Sequence, residues 1–171
     1  EDFVNLVKDN QQFVLEECHV QDEGFHPMSP MPDEHIYGRH TYYKGASIHH
    51  NLRAYLGDEL YREACQAAIA TNFDSHMDPA GFIEVLEQYT GVDLNPYFNA
   101  QIFQPGFSTW LIDSTTTTGN SDVGFETHLF LNQKLRACNS FHENEPLDVT
   151  LWDANWDTTI YPIRVGGEWD Q

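Results

Sequence analysis

The stretch that organises the sequence is Ile36-Tyr37-Gly38-Arg39-His40-Thr41-Tyr42-Tyr43-Lys44-Gly45-Ala46. The apolar residues that begin in it and continue beyond it recur at helical spacing along one stripe: Ala46, Ile48, Leu52, Tyr55 and Leu56. This spacing predicts a helix that opens in the stretch and runs to Leu56. Gly57 and Asp58 follow directly, and a glycine in that place is typical of a helix end.

The same stretch resembles the segment that follows the zinc site in aminopeptidase N-like (gluzincin) zinc metallopeptidases. Tyr42-Tyr43-Lys44-Gly45-Ala46 matches the Tyr-x-Lys-Gly-Ala element of that family. The likeness continues through Leu52-Arg53-Ala54-Tyr55-Leu56-Gly57-Asp58-Glu59 and Glu87-Gln88-Tyr89-Thr90-Gly91, and it covers residues 36 to 110. It implies a helical part of a catalytic domain that closes one wall of a peptide cleft.

By this resemblance Tyr42 takes the catalytic position, where a phenol donates a hydrogen bond to the developing oxyanion. From the residues alone, the alternative for Tyr42 is simple packing at a helix N-terminus. Tyr37 is a candidate border of the substrate cleft. Arg39 and His40 are candidates for contact with a substrate carboxylate or leaving group, and local hydrogen bonding is their alternative. For Lys44 and Gly45 we expect structural roles, with Lys44 paired to a carboxylate and Gly45 allowing a close backbone approach.

Zinc-dependent peptide hydrolysis needs three protein ligands for the metal, usually built on an H-E-x-x-H helix. None of the nine histidines has another histidine four residues further on. The sequence therefore predicts no metal ligand in this chain. Since the family's zinc ligands and general base precede the tyrosine element, we expect them upstream of residue 1, in a larger enzyme that holds zinc. The chain alone is predicted to bind no zinc tightly and to cleave no peptide.

Composition narrows the possible partners. The chain has 171 residues, with 27 acidic and 8 basic side chains and a formal charge of -19. Nucleic acids and anionic membranes are bound by clustered lysine and arginine, so neither is an expected partner. The acidity is interpreted as a solvated surface, and the alternative is a negative field that attracts cationic peptide N-termini. The expected partners are the upstream zinc-bearing domain and a peptide substrate, with self-association through apolar surface in residues 18–45.

Cysteines and loop histidines give no sign of a further site. Cys18, Cys65 and Cys138 form no C-x-x-C pair, and Cys65 is predicted to be a buried apolar residue on a helix face. Residues 18–35 form a proline-rich segment that contains four possible metal ligands. The intervals between these residues match no known ligand pattern, so they are predicted to be solvated: His19, Glu23, His26 and His35. Three aspartates are predicted to lie at strand ends and turns rather than to bind calcium: Asp148, Asp153 and Asp157.

The remaining pattern predicts an α+β fold, with an antiparallel helical block over residues 1–104 and a β-domain over residues 107–171. Further helices are predicted at residues 1–17, from Asp58, after Asp78-Pro79 to Gly91, and after Asn95-Pro96. Strands are predicted at 107–113, 125–135, 147–151 and 158–165, with residues 114–121 as a polar turn or mobile loop. Four strands are few for a sandwich, so we expect an antiparallel sheet or an incomplete sandwich.

A rival hypothesis comes from a different class of protein. According to this hypothesis, the chain is a non-catalytic module that derives from the same scaffold and binds a peptide or a partner domain. The sequence preceding residue 1 separates the two hypotheses, because an intact H-E-x-x-H with a later glutamate supports the enzyme.

Overall fold

A computed structural model of the chain describes residues 2–120, 122 and 124–170, apart from the side chain of Asn120. The chain divides into two compact units, Glu1–Gly106 and Phe107–Gln171. Helices make up the first unit and antiparallel strands the second, which confirms the predicted α+β fold. No described helix has both the length and the apolar character that a membrane span requires.

The helical unit contains the five predicted helices and also a short helix, Cys18–Gln21, that was not predicted. Its α-helices are α1 (Asp2–Glu16), α2 (Cys18–Gln21), α3 (Gly45–Leu56), α4 (Asp58–Thr71), α5 (Pro79–Thr90) and α6 (Asn95–Gln101). A 3-10 turn spans Asp33–His35, and a π-helical turn, His40–Lys44, leads directly into α3. The apolar stripes of α3 to α6 meet in one core: Ile48, Leu52, Tyr55, Ala64, Ile83, Leu86, Leu94, Tyr97 and Phe98.

Local capping signals explain where these helices begin and end. The Asp78 carboxylate accepts a hydrogen bond from the Gly81 amide at 2.8 Å, and Gly91 adopts the left-handed conformation that closes α5. The helix predicted after Asn95-Pro96 begins at Asn95 itself, so Asn95 is not its N-cap. The neighbouring carboxylates of Glu87 and Asp93 instead accept hydrogen bonds from the amides of Leu94 and Asn95, respectively.

The β-unit contains β1 (Phe107–Asn120), β2 (Gly124–Arg136), β3 (Glu145–Trp152), β4 (Thr158–Val165) and β5 (Trp169–Asp170). One sheet has the strand order β1-β2-β5, and β3 pairs with β4 in a second sheet; all these pairs are antiparallel. Residues of both sheets line an open cleft of about 840 Å³, and its walls are largely apolar. The short strand β5 was not predicted.

Two expectations on this unit have clear outcomes. The predicted turn or mobile loop at 114–121 is wrong for residues 114–120, since β1 continues to Asn120 and pairs with β2 along its length; Ser121 lies outside the described residues. Asp153 does lie in a turn, where its carboxylate accepts hydrogen bonds from the amides of Asn155 and Asp157. Asp148 lies in the middle of β3, so the strand-end or turn position predicted for it is wrong.

The three cysteines carry free thiols. Cys65 is only half-buried, so the expectation of a buried residue there is wrong. The buried thiol of the helical unit is Cys18, which opens α2. Burial raises the pKa of Cys18 to about 12, and the nearby Asp22 carboxylate adds to that rise.

Candidate functional site

The candidate site is built on the π-helical turn His40–Lys44. His40 and Lys44 are 2% and 4% exposed, whereas Tyr42, midway between them, is 58% exposed. Residues four apart on a helix share a face, so the two buried side chains anchor the turn and the phenol of Tyr42 faces outward. π-helical turns are rare in proteins, and those that occur often lie at functional sites.

A buried carboxylate, Asp22, holds the turn in place. One of its oxygens accepts hydrogen bonds from the His40 amide at 2.8 Å and from His40 Nδ1 at 2.7 Å. The other accepts from the Arg39 amide at 2.9 Å. Asp22 lies one residue beyond α2, so these bonds join two segments that are 17 and 18 residues apart in the chain.

The electrostatics of this pair follow from its burial. Burial alone would raise the pKa of Asp22, but the hydrogen bonds from Arg39 and His40 together hold that pKa below its usual value. Burial also lowers the pKa of His40, and this effect exceeds the opposing pull of the carboxylate. At neutral pH the pair is therefore an aspartate and a neutral imidazole, whose Nδ1 proton is assigned to the bond with Asp22.

Gly38 is required by the approach of this carboxylate to the backbone. A Cβ atom placed on Gly38 would lie 2.9 Å from Asp22 Oδ2 and 2.8 Å from the His35 carbonyl oxygen. Both distances are shorter than a carbon atom tolerates without movement of its neighbours. Gly45, in contrast, faces no backbone approach, because a Cβ there would meet only Met28 Cε at an ordinary 3.5 Å. The close approach predicted at Gly45 is thus found at Gly38 instead.

Of the other candidate residues, Tyr37 lies at the surface, whereas Arg39 and Lys44 form hydrogen bonds within the helical unit. Tyr37 is 85% exposed. Arg39 Nε donates to the Gln21 side chain at 2.9 Å, and Lys44 Nζ lies 3.4 Å from the Gln104 carbonyl oxygen. Local hydrogen bonding, the alternative for Arg39 and His40, is therefore present at both residues. Their contact with a substrate stays a prediction.

The histidines of the proline-rich segment are packed rather than freely solvated. The rings of His26 and His35 stack at 4.5 Å, and His26 meets His40 edge-on at 5.6 Å. His19 stacks on Phe25 at 4.5 Å. Among residues 2–120, 122 and 124–170, no three histidine, cysteine or acidic side chains are grouped so that they could hold a metal ion.

The sequence motif suggests Tyr42 and His40 as candidates, but it gives no sign of Asp22, which binds His40. Asp22 is one of 27 acidic residues, and no motif distinguishes it from the rest. The presence of Gly38 beside the candidate residues was the only local signal, and a glycine alone does not identify the group that approaches it. No protein-family model matches the chain, and no curated protein matches it either.

Proposed function

We propose that the chain is the C-terminal segment of a zinc-dependent metallopeptidase, an aminopeptidase that hydrolyses peptide N-termini, and that Tyr42 is its catalytic residue here. The observation that carries the proposal is that the phenol of Tyr42 faces outward on a turn whose first and last residues, His40 and Lys44, are buried. An oxyanion donor must be exposed to substrate and yet fixed in position before the reaction. The phenol of Tyr42 is exposed, and the buried side chains of His40 and Lys44 anchor its turn on either side, which supports this role.

The chain's own contribution is limited to the donor and to a wall of the cleft. The described residues offer no three-ligand group for zinc, so the metal would be held by a preceding domain of the same polypeptide. Bound zinc would supply an activated water for attack on the scissile carbonyl. Tyr42 Oη would donate a hydrogen bond to the carbonyl oxygen as that oxygen gains negative charge.

Exposed apolar side chains on residues 18–45 support the proposed contact with that domain. Val20, Ile36, Tyr37 and Tyr42 are all exposed, in a segment whose backbone is fixed at Asp22 and His40. Apolar groups left at a surface favour burial against a partner. Tyr37 would then border the cleft and Arg39 would lie beside it.

The test is the substitution Tyr42→Phe in the longer polypeptide that includes the preceding domain. Phenylalanine keeps the ring and removes only the hydroxyl. We expect kcat for an aminoacyl chromogenic substrate to fall by roughly 10²–10³, with KM little changed, because the bond is made mainly in the transition state. Tyr161→Phe is the matched control, since Tyr161 is a similarly exposed tyrosine in the β-unit.

Three results would contradict the proposal. Wild-type turnover in the Tyr42→Phe variant would remove the tyrosine from the mechanism. A polypeptide that holds no zinc and hydrolyses no aminoacyl substrate would favour the non-catalytic module that binds a peptide or partner domain. Zinc that residues 1–171 alone retain through dialysis, in stoichiometric amount, would place ligands within this chain.

A further inference from the structure

A cysteine, a histidine and a glutamate lie in one line in the β-unit, outside the tyrosine site. Glu145 Oε1 lies 2.8 Å from His142 Nδ1, and the Cys138 sulfur lies 3.7 Å from Nε2 of the same ring. The second oxygen of Glu145 accepts a hydrogen bond from Trp110 Nε1 at 3.1 Å. This is the order of nucleophile, imidazole and orienting carboxylate that activates cysteine in enzymes.

His142 is held rigidly in that line. Its amide donates to Gln133 Oε1 at 2.7 Å, and Gln133 Nε2 donates back to the His142 carbonyl oxygen at 3.0 Å. Ser108 Oγ lies 3.0 Å from Nδ1 on the side of Glu145. The side chains of His142 and Gln133 are both almost fully buried, so the direction of the ring is fixed by β1, β2 and the start of β3.

The charge of the ring follows from these contacts. Burial opposes protonation, but the hydrogen bonds and charges of Cys138 and Glu145 together raise the pKa of His142 to about 9. The imidazole is therefore positively charged at neutral pH. A cation in contact with a cysteine sulfur stabilises negative charge on that sulfur and increases its reactivity.

The same geometry does not suit a metal ion. Cys138 and Glu145 contact opposite nitrogens of one imidazole ring. One ion could not be bound by all three side chains in this arrangement. The Cys138 sulfur is the group left to react, because His142 and Glu145 each form hydrogen bonds to other residues.

We propose that Cys138 is a nucleophilic thiol and a site of covalent modification by small electrophiles, and hydroperoxides are the class that we test. The line of Cys138, His142 and Glu145, together with the half-buried position of Cys138, carries this inference. It is independent of the peptidase proposal, because all of these residues belong to the β-unit.

The reaction with a hydroperoxide needs only the Cys138 thiolate, a proton from His142 and the peroxide itself. The Cys138 thiolate attacks the distal peroxide oxygen, a sulfur–oxygen bond forms and the oxygen–oxygen bond breaks. The leaving oxyanion takes a proton from His142 and departs as an alcohol or as water. The sulfur is oxidised to a sulfenic acid and the peroxide is reduced.

The test compares the three cysteines within the native chain. The protein is treated briefly with iodoacetamide at pH 6 and pH 7, and the modified peptides are quantified by mass spectrometry. We expect Cys138 to be modified at least about tenfold faster than Cys65, because an imidazole in contact with the sulfur increases its reactivity. Cys18, which is buried, should react only after unfolding. Equal rates at Cys138 and Cys65 would overturn the proposal.

Two further arms sharpen the test. Glu145→Gln keeps the size of the side chain but removes the charge that supports the imidazolium, so the Cys138 rate at pH 6 should fall about tenfold. Glu143→Gln makes the same charge change nearby and should leave that rate unchanged; equal effects of the two variants would overturn the proposal. If Glu145→Gln does not fold, the comparison of Cys138 with Cys65 in the native chain decides.

The class of electrophile is tested with hydrogen peroxide. A peroxide treatment followed by dimedone should label Cys138 and leave Cys65 unlabelled, because dimedone captures sulfenic acids. Labelling of both thiols to the same extent, or of neither, would overturn the assignment of hydroperoxides.

Discussion

At the scale of single residues, the helical unit depends on one carboxylate that the sequence does not mark. Asp22 is buried, and a buried charge is tolerated only when hydrogen bonds replace its lost hydration. The amides of Arg39 and His40 and the ring of His40 supply those bonds. Because the carboxylate lies against the backbone at Gly38, that position has no room for a side chain.

Gly38→Ala tests this interpretation. The added methyl group would force the Asp22 carboxylate or the His35 carbonyl to move, and we expect the helical unit to lose about 1–3 kcal/mol of stability, the usual cost of overpacking. Gly45→Ala is the control: it adds the same atom only seven residues away, against Met28 alone, and should be neutral or slightly stabilising. Urea unfolding followed by circular dichroism gives both values. Equal stability of the two variants would show that Asp22 does not constrain Gly38.

At the scale of elements, the structure corrects the boundary of β1. The polar threonine and serine residues at 114–118, followed by Gly119-Asn120, predict a turn or a mobile loop. Threonine is also β-branched and favours strands where a partner strand is present. β2 supplies that partner, and Thr117 and Thr127 lie opposite each other with their hydroxyl oxygens 3.0 Å apart.

Helix α5 shows the opposite case, in which a local signal is sufficient. Asp78→Ala removes the side chain that accepts from the Gly81 amide, and we expect a loss of about 1 kcal/mol in the free energy of unfolding. Glu84→Ala is the control within the same helix, where an exposed side chain is removed and the change should stay within about 0.5 kcal/mol. Chemical denaturation measures both. A larger loss in Glu84→Ala than in Asp78→Ala would contradict the capping role.

At the scale of the whole molecule, we expect the stabilities of the two units to respond to pH in opposite directions. The helical unit contains His40, whose pKa is lowered, and Asp22, whose pKa is lowered as well. Both groups stabilise the fold above their unfolded pKa values and lose that contribution as the pH falls. The β-unit contains His142, whose pKa is raised to about 9. Its contribution is complete below the unfolded value of about 6.5 and is lost as the pH rises through 9.

The difference can be measured in one sample, since all four tryptophans lie in the β-unit: Trp110, Trp152, Trp156 and Trp169. Tryptophan fluorescence follows unfolding of that unit, and circular dichroism at the helix band follows the other. From pH 6 to pH 9.5 we expect the β-unit to lose roughly 3 kcal/mol. From pH 7 to pH 4 we expect the helical unit to become less stable. A fluorescence midpoint that rises between pH 7 and pH 9 would contradict the assigned charge of His142.

The sequence by itself determined most of the helices and strands, because their signals are local. Helical periodicity predicted the stripes that form the core, and the Asp78 and Gly91 signals predicted both ends of α5. The change to a two-residue period after Gly106 predicted the β-unit. Such signals need only neighbours within one or two turns, so they are readable without a fold. The candidate Tyr42 came from a short motif of the same local kind.

The tertiary structure alone decided which polar side chains meet. Asp22 reaches a turn 17 and 18 residues further along the chain, and Ser108, Trp110 and Gln133 reach the line of Cys138, His142 and Glu145 from β1 and β2. The spacing of polar side chains along the sequence does not predict which distant residue each of them will contact. Their burial is decided only when the core closes, since an unpaired polar group is then costly and a paired one is retained. That is why the exposed tyrosine could be found in the sequence and its supporting carboxylate could not.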